Sequence, residues 1–474
     1  MLSTTSNVRK RACHYTREII EIPMPLSEQI IYLTENCSVD NKHQPQTSHE
    51  QLISLLTHPL IRSIVNMCQY THNYDEQPVP VVDVGDESPF PWHLPICDAH
   101  CHPTDTMDSI QDIPSMRAAA LAIMATRAQD QDLVAEVANK HSNDNPKLLF
   151  QGNSGQSNTW VVPSFGWHPW FSHLLYDDSA DAPTYRPTSG SETDNAAKQA
   201  HYNAVLQPEP SSDFVASLPT PIAVSTFLEE TESRLSANPY ALVGEIGVDK
   251  AFRLPEPWNP SEQAERDSTL TPGGREGRHL SPHRVRIEHQ RAILAAQLRL
   301  AGKTRRAVSV HGVQAHGVLH DTLVDTWKGH EREVITRRKR RLVAKGAEDF
   351  SDEEDDDDSE KPYPPRICLH SFSASVEVLK QYLSPTIPAR IFVSLSVAVN
   401  LSTDASCTKT DEVLRALPDD SVLIESDLHI VGEHMEKALE DMYRHVCEVK
   451  GWELEEGVKK IAMNYEEFIF GRRE

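Results

Sequence analysis

No CxxC pair occurs in this chain, although it holds eight cysteines. Cys13, Cys37, Cys68, Cys97, Cys101, Cys368, Cys407 and Cys447 are scattered, which excludes a zinc ribbon and argues against a disulfide framework. A reducing compartment, cytoplasmic and/or nuclear, is the expectation. No apolar run approaches the ~18 residues that a membrane-spanning helix needs, so no membrane role follows. The opening residues, MLSTTSNVRKRACHYTREIIEIPMPL, lack a continuous apolar stretch with a small-residue cleavage site, so a secretory signal is not expected. Positive charge is scarce too: 46 Lys and Arg stand against 70 Asp and Glu, for a net charge of −24. Such a chain repels a polyanion at long range. Any nucleic-acid substrate must be captured locally, by metal ions and a few cations.

A length of 474 residues suggests two or three domains, but a single barrel swollen by insertions also reaches it. Residues 1 to 94 show no strong repeat and carry polar stretches such as NKHQPQTSHEQ. They read as an extension with a few short helices, one of them near SHEQLISLLTHPLIRSIVNMCQY. From residue 95 the pattern changes to short apolar runs ending in His, Glu or Asp, each followed by a helical segment. The runs are LPICDAH (94 to 100), AAALAIMAT (118 to 126), WVVPSFGWH (160 to 168), ALVGEIGVD (241 to 249), AVSVH (307 to 311), RICLH (366 to 370), RIFVSLS (390 to 396) and SVLIESD (421 to 427). Helical spacing of apolar positions predicts helices over 130–141, 221–235, 284–303, 373–383 and 432–451. Eight strands alternating with helices close a TIM (β/α)8 barrel.

Three stretches break the rhythm: 175–219 (polar, Pro- and Ser-rich), 253–282 and 329–364. The last contains RRKRR (337–341) and the run SDEEDDDDSE (351–360). A basic cluster suits nuclear import or phosphate binding, and the two runs together suit a self-neutralising loop. Setting the three insertions aside leaves 95–474 near the ~250 residues of one barrel, so a single catalytic domain suffices.

DAHCH places His100 and His102 two apart at a strand end, hence on one side of the sheet. Glu245 stands at the tip of the fourth run, with flanking glycines read as room for a ligand or metal. His311, His370 and Asp427 end the fifth, sixth and eighth runs. Singly, the histidines fit buried core residues and Asp427 fits a helix N-cap. Together, the six place metal-ligand types at the C-terminal ends of strands, where barrels carry their chemistry. Four imidazoles and two carboxylates exceed the needs of one catalytic metal. Two divalent ions, Mg²⁺, Mn²⁺ or Zn²⁺, bridged by Glu245 are the expectation, with phosphodiester hydrolysis the matching chemistry. Asp427 is the candidate for orienting a water and taking its proton.

At these residues the chain resembles the TatD family of metal-dependent DNases, among the amidohydrolase-like barrels. DAHCH, FGWHPW, VGEIGVD, QRAILAAQLRLA, VSVH, LHSF, ESD and NYEEFIFG carry the resemblance, in the family's order. It implies that His100, His102, Glu245, His311, His370 and Asp427 are metal ligands or catalytic, while His168 faces the substrate phosphate. Two departures stand out. The family usually has His-x-Arg after the fifth strand, where this chain has Val313, and Leu428 and His429 follow Asp427 in place of a small residue and Pro. His429 and Arg253 are candidates for replacing the lost phosphate contact. Trp167, Trp170 and Phe171 could stack an unpaired base or wall the pocket. The expected substrate is single-stranded DNA near its ends, because a narrow pocket cannot admit a duplex. FGWHPW and DAHCHPTDT resemble a fungal branch whose members are described as partners of a tetratricopeptide-repeat subunit of the cell-cycle ubiquitin ligase. That implies a protein-binding alternative. A third class, hydrolysis of carboxylic ester or amide bonds, shares the same barrel and metals.

Overall fold

The computed structural model describes residues 88–151, 158–187, 191–259, 266–334 and 360–471. The helix expected near 48–70, the RRKRR cluster and all but the last residue of the acidic run lie outside them. Eight strands form one sheet: β1 (Cys97–Cys101), β2 (Ala120–Met124), β3 (Trp160–Phe165), β4 (Leu242–Asp249), β5 (Val308–Val313), β6 (Arg366–Leu369), β7 (Arg390–Leu395) and β8 (Val422–Ile424). They lie in chain order, and every registered neighbour pair is parallel. Parallel neighbours require crossovers, and helices supply them: α1 (Ala128–Lys140), α2 (Ser191–Val205), α3 (Ser212–Ser217), α4 (Val224–Ala237), α5 (Ile287–Lys303), α6 (His316–Trp327), α7 (Val376–Tyr382), α8 (Asp404–Ala416), α9 (Glu433–Lys450) and α10 (Leu454–Phe470).

Strands covered on both faces read as near-continuous apolar runs. One set of alternate residues, including Leu121, Ile123, Val308, Val310, Ile391 and Val393, packs outward on helical residues such as Leu294, Leu298, Leu323 and Met442. The other set, including Ala122, Val162, Cys368, Phe392 and Leu423, forms the inner layer, to which α10 adds Tyr465, Phe468 and Ile469. That plug lies where the strands begin: Arg366, which opens β6, donates from Nε to the Phe468 carbonyl oxygen at 2.8 Å. The opposite mouth is left for polar groups.

The ring closes between β1 and the residues just past β8. The Asp427 amide donates to the His100 carbonyl (3.0 Å) and the His102 amide to the Leu428 carbonyl (2.8 Å). Asp98 adds a carboxylate staple, accepting from the Ser426 amide (3.0 Å), the Ser426 hydroxyl (2.5 Å) and the His100 amide (3.0 Å). Burial raises its carboxyl to about 7 despite those three donors.

The polar stretch 175–219, read from sequence as an irregular insertion, carries α2 and α3. They are held by a small apolar cluster of their own, in which Tyr202, Val205, Phe214 and Val215 meet Leu254 and Val285. Residues 253–282 leave and return at one place: the Leu254 amide donates to His283 and the Ser281 amide to Leu254. Their far side is pinned to the loop after β1. Thr271 donates from its amide to the Asp105 carbonyl (2.7 Å) and from its hydroxyl to the Thr104 carbonyl (2.6 Å). Arg127, buried, ties the same segment to Asp105 (3.2 Å) and Asp130 (3.0 Å) through Nη1, while Nε reaches the Pro272 carbonyl.

Candidate metal centre

The two oxygens of Glu245 divide the surrounding imidazoles into two groups. Oε2 faces His102 Nε2 (3.5 Å) and His100 Nε2 (3.6 Å). Oε1 faces His311 Nδ1 (2.7 Å), His370 Nε2 (3.0 Å) and His168 Nε2 (3.1 Å). The side chain is 5% exposed, so a charged carboxylate there requires compensating positive charge. Burial pushes the Glu245 carboxyl up, but the imidazoles of His168 and His370 outweigh it and hold the group well below the usual range. Asp427 stands at the first group's edge, with Oδ1 3.6 Å from His102 Nε2. Its φ of 57° is the left-handed region that few non-glycine residues adopt. At 21% exposure its side chain is the most open of the set.

The structure therefore brings together His100, His102, Glu245, His311, His370 and Asp427, and adds His168 to the cluster. His168 Nδ1 accepts the Trp170 amide proton at 3.2 Å, so in the neutral ring Nε2 carries the hydrogen aimed at Glu245. Burial lowers this imidazole to about 4. His429 lies at the rim, its Nδ1 2.9 Å from Asp105 Oδ2 and its ring stacked 5.4 Å from that of His102. Arg253 is half-buried, and among the described residues no hydrogen bond or ion pair joins it to the cluster. Of the aromatic trio, Trp167 and Phe171 are buried in packing with Phe227 and Ile293. Phe171 also meets the His168 ring edge-on, while Trp170 donates from Nε1 to Asp249 (2.6 Å) and stacks on Phe252 at 4.5 Å.

The glycines beside Glu245 have a different purpose from the one the sequence suggested. A Cβ on Gly244 would lie 2.5 Å from the Ser309 carbonyl oxygen, and one on Gly247 2.0 Å from that of His311. They allow β5 to press against β4, not a ligand to approach. Three orienting groups escaped sequence reasoning. Ser309 Oγ is 2.8 Å from His100 Nδ1, Asp249 Oδ2 is 3.3 Å from His311 Nε2, and Glu425 Oε1 is 3.3 Å from His370 Nδ1. Glu425 is fully buried and also accepts from the Ser371 amide (2.8 Å) and from the Ser371 and Ser394 hydroxyls. Burial opposes charge on His311 and His370, yet their carboxylate partners prevail, lifting His311 to about 9 and His370 well above its ordinary value. Positive charge is what this pocket is built to receive.

The donor chemistry suits divalent metal. Imidazole nitrogens and carboxylate oxygens converge with no thiolate among them, and each first-row donor on a histidine is backed by a second polar group in the cases of His100, His311 and His370. Three overlapping trios, His100–His102–Glu245, His168–Glu245–His311 and His100–His370–Glu425, each keep their ligand atoms within 4.8 Å of one another.

A parallel (β/α)8 barrel with this donor set at its C-terminal mouth has the build of the metal-dependent hydrolases. More particularly, the chain belongs to the TatD related DNase family, whose model matches residues 97–470. The Cut9-interacting protein scn1 of Schizosaccharomyces pombe is 35% identical over 374 residues, covering 79% of this chain and 98% of its own. An uncharacterised deoxyribonuclease of Saccharomyces cerevisiae is 25% identical over 390 residues, covering 79% of this chain and 99% of its own. Among solved structures, a TatD homologue from Escherichia coli aligns with 16% identity and a TM-score of 0.41, covering 80% of this chain and 98% of its own.

Proposed function

We propose that this protein hydrolyses phosphodiester bonds at single-stranded DNA ends, with Glu245 and the imidazoles around it placed to hold two divalent ions. The division of five imidazoles between the two oxygens of that one carboxylate is the observation that carries the reading. His100, His102 and Asp427 would hold one ion, and His311 and His370 the other. When bound, such a pair lowers the pKa of a water and neutralises phosphate oxygens on both sides of an in-line displacement. Asp427, the most open carboxylate, would orient a water there and take up a proton. His168, with its Nε2–H directed into the centre, donates to a phosphate oxygen, and His429 at the rim is placed to add a second contact. Arg253, on the segment carrying Phe252, follows the strand beyond the scissile group. Trp170 and Phe252 give an unpaired base an apolar surface beside the ions.

The test is incubation of the purified chain with end-labelled single strands and Mg²⁺, Mn²⁺ or Zn²⁺, beside His100→Ala. Metal-dependent shortening that His100→Ala abolishes is expected, and absence of cleavage with every ion would refute the reading. Ester and amide substrates run in parallel separate the third class of chemistry.

A second reading is favoured by one observation: the 35% identical relative is named as a Cut9-interacting protein. On that reading the chain is a partner of a tetratricopeptide-repeat protein in the cytoplasm or nucleus, and Val313 in place of a family cation marks weakened catalysis. Binding to such a repeat protein that survives His100→Ala unchanged would support it.

A further inference from the structure

A cluster of metal-ligand types lies on the outer helical shell, apart from the barrel mouth. Cys407 and Asp411 are one turn apart on α8, and His445 on α9 faces them. The candidate ligand atoms of the three lie within 4.8 Å of one another. Asp411 Oδ1 is 2.9 Å from His445 Nε2, and its second oxygen accepts from Arg415 Nη2 at 2.9 Å. The group is neither deeply buried nor loose, since the side chains of His445 and Asp411 are 19% and 24% exposed. Burial, followed by the charges of Asp411, Asp404 and Glu448, raises the Cys407 thiol. Arg415 pairs with one of the carboxylates acting on Cys407, that of Asp411.

We propose that Cys407, Asp411 and His445 form a second divalent-cation site, of the zinc type, that clasps α8 to α9. Thiolate, imidazole and carboxylate together suit a borderline-soft ion, and three protein ligands leave a fourth position for water. A carboxylate accepts, so the Nε2 of His445 bears the hydrogen now shared with Asp411. On binding, that hydrogen moves to Nδ1 and the ring stays neutral, while the Cys407 proton leaves to solvent as the sulfur–metal bond forms. About one proton is released per ion.

The test uses the full chain, kept reduced without added thiols and titrated with Co²⁺. Among the described residues the barrel centre offers only imidazole and carboxylate donors, so the part of a near-ultraviolet thiolate-to-cobalt absorption band that Cys407→Ser removes reports this cluster. The expected result is a band that saturates at one thiolate-bound ion per chain and is erased by excess Zn²⁺. Cys407→Ser should abolish it without altering the far-ultraviolet dichroism. His445→Ala should weaken cobalt binding at least about tenfold, because even groups behind a ligand are worth that much. No band in the native chain, or one that persists in Cys407→Ser, overturns the proposal.

Discussion

A fully buried carboxylate behind the pocket's histidines decides how one of them presents itself there. Glu425 holds His370 Nδ1 while His370 Nε2 faces Glu245. Replacing it with Gln keeps the shape but removes the charge that keeps the ring oriented. Glu425→Gln should therefore lower divalent-metal affinity about 10–100-fold, as measured by calorimetric titration. Unchanged affinity would remove the orienting role. Glu245→Gln should do more, because both imidazole groups lose their shared partner, and activity should fall to the level of His100→Ala. Most of the direct donors were legible in sequence because they close an apolar run, a position that a barrel turns toward one mouth; Glu245, read as the tip of its run, instead lies within β4, whose last residue is Asp249. Glu425 was not legible, although it stands in the ESD motif. Its role depends on Ser371, Ser394 and His370, which come from other strand ends and meet only in the fold.

At the scale of elements, the tight seam between β4 and β5 accounts for the glycines of VGEIGVD. Gly247→Ala would put a methyl 2.0 Å from the His311 carbonyl oxygen. Overpacking of this kind costs about 1–3 kcal/mol, which should appear as a lowered thermal midpoint. Gly317, in the first turn of α6 with nothing within 4 Å of its would-be Cβ, is the contrast. Gly317→Ala should gain about 0.5–1 kcal/mol, and equal melting of the two variants would contradict the packing argument. The spacing of glycine could not distinguish strand crowding from ligand approach, because both ask for a missing side chain.

The α2 segment makes a separate prediction. His201 is buried, its Nε2 2.9 Å from the His173 carbonyl oxygen and its Nδ1 2.8 Å from the Thr184 hydroxyl, so the neutral ring satisfies both. Burial lowers it to about 4 from 6.5. Above pH 6.5 folded and unfolded chains bind alike, and its stabilising contribution is complete. As pH falls from 6.5 toward 4 the unfolded chain gains a proton that the folded one refuses, and stability declines by up to about 1.4 kcal/mol per unit. His201→Gln should flatten that slope in denaturant titrations, and an identical slope would count against it. Sequence reasoning missed α2 because the polar, Pro- and Ser-rich stretch around it hides the few residues, Tyr202 and Val205 among them, that anchor it.

For the whole molecule, the order of strands and a closed barrel were readable from eight apolar runs, but the contacts that make the closure were not. Asp98 belonged to a histidine motif in the sequence, whereas in the fold it fastens β1 to the residues past β8. Asp98→Ala leaves the Ser426 amide and hydroxyl buried without that acceptor, at about 1–3 kcal/mol for each unsatisfied group. A drop in the unfolding midpoint is expected, together with weaker metal binding, since His100 and Asp427 flank the break. A variant as stable as the native chain would show that the two backbone bonds suffice. The closing contact also sets an order of events during synthesis. Asp98 and Ser426 are separated by 328 positions. At about 5–20 residues per second, the ribosome keeps the first strand waiting on the order of half a minute for the last. Throughout that interval β1 has an open edge, and His100 and His102 lack Asp427 across the gap. The mouth is thus assembled only after β8 and the residues beyond it have been made.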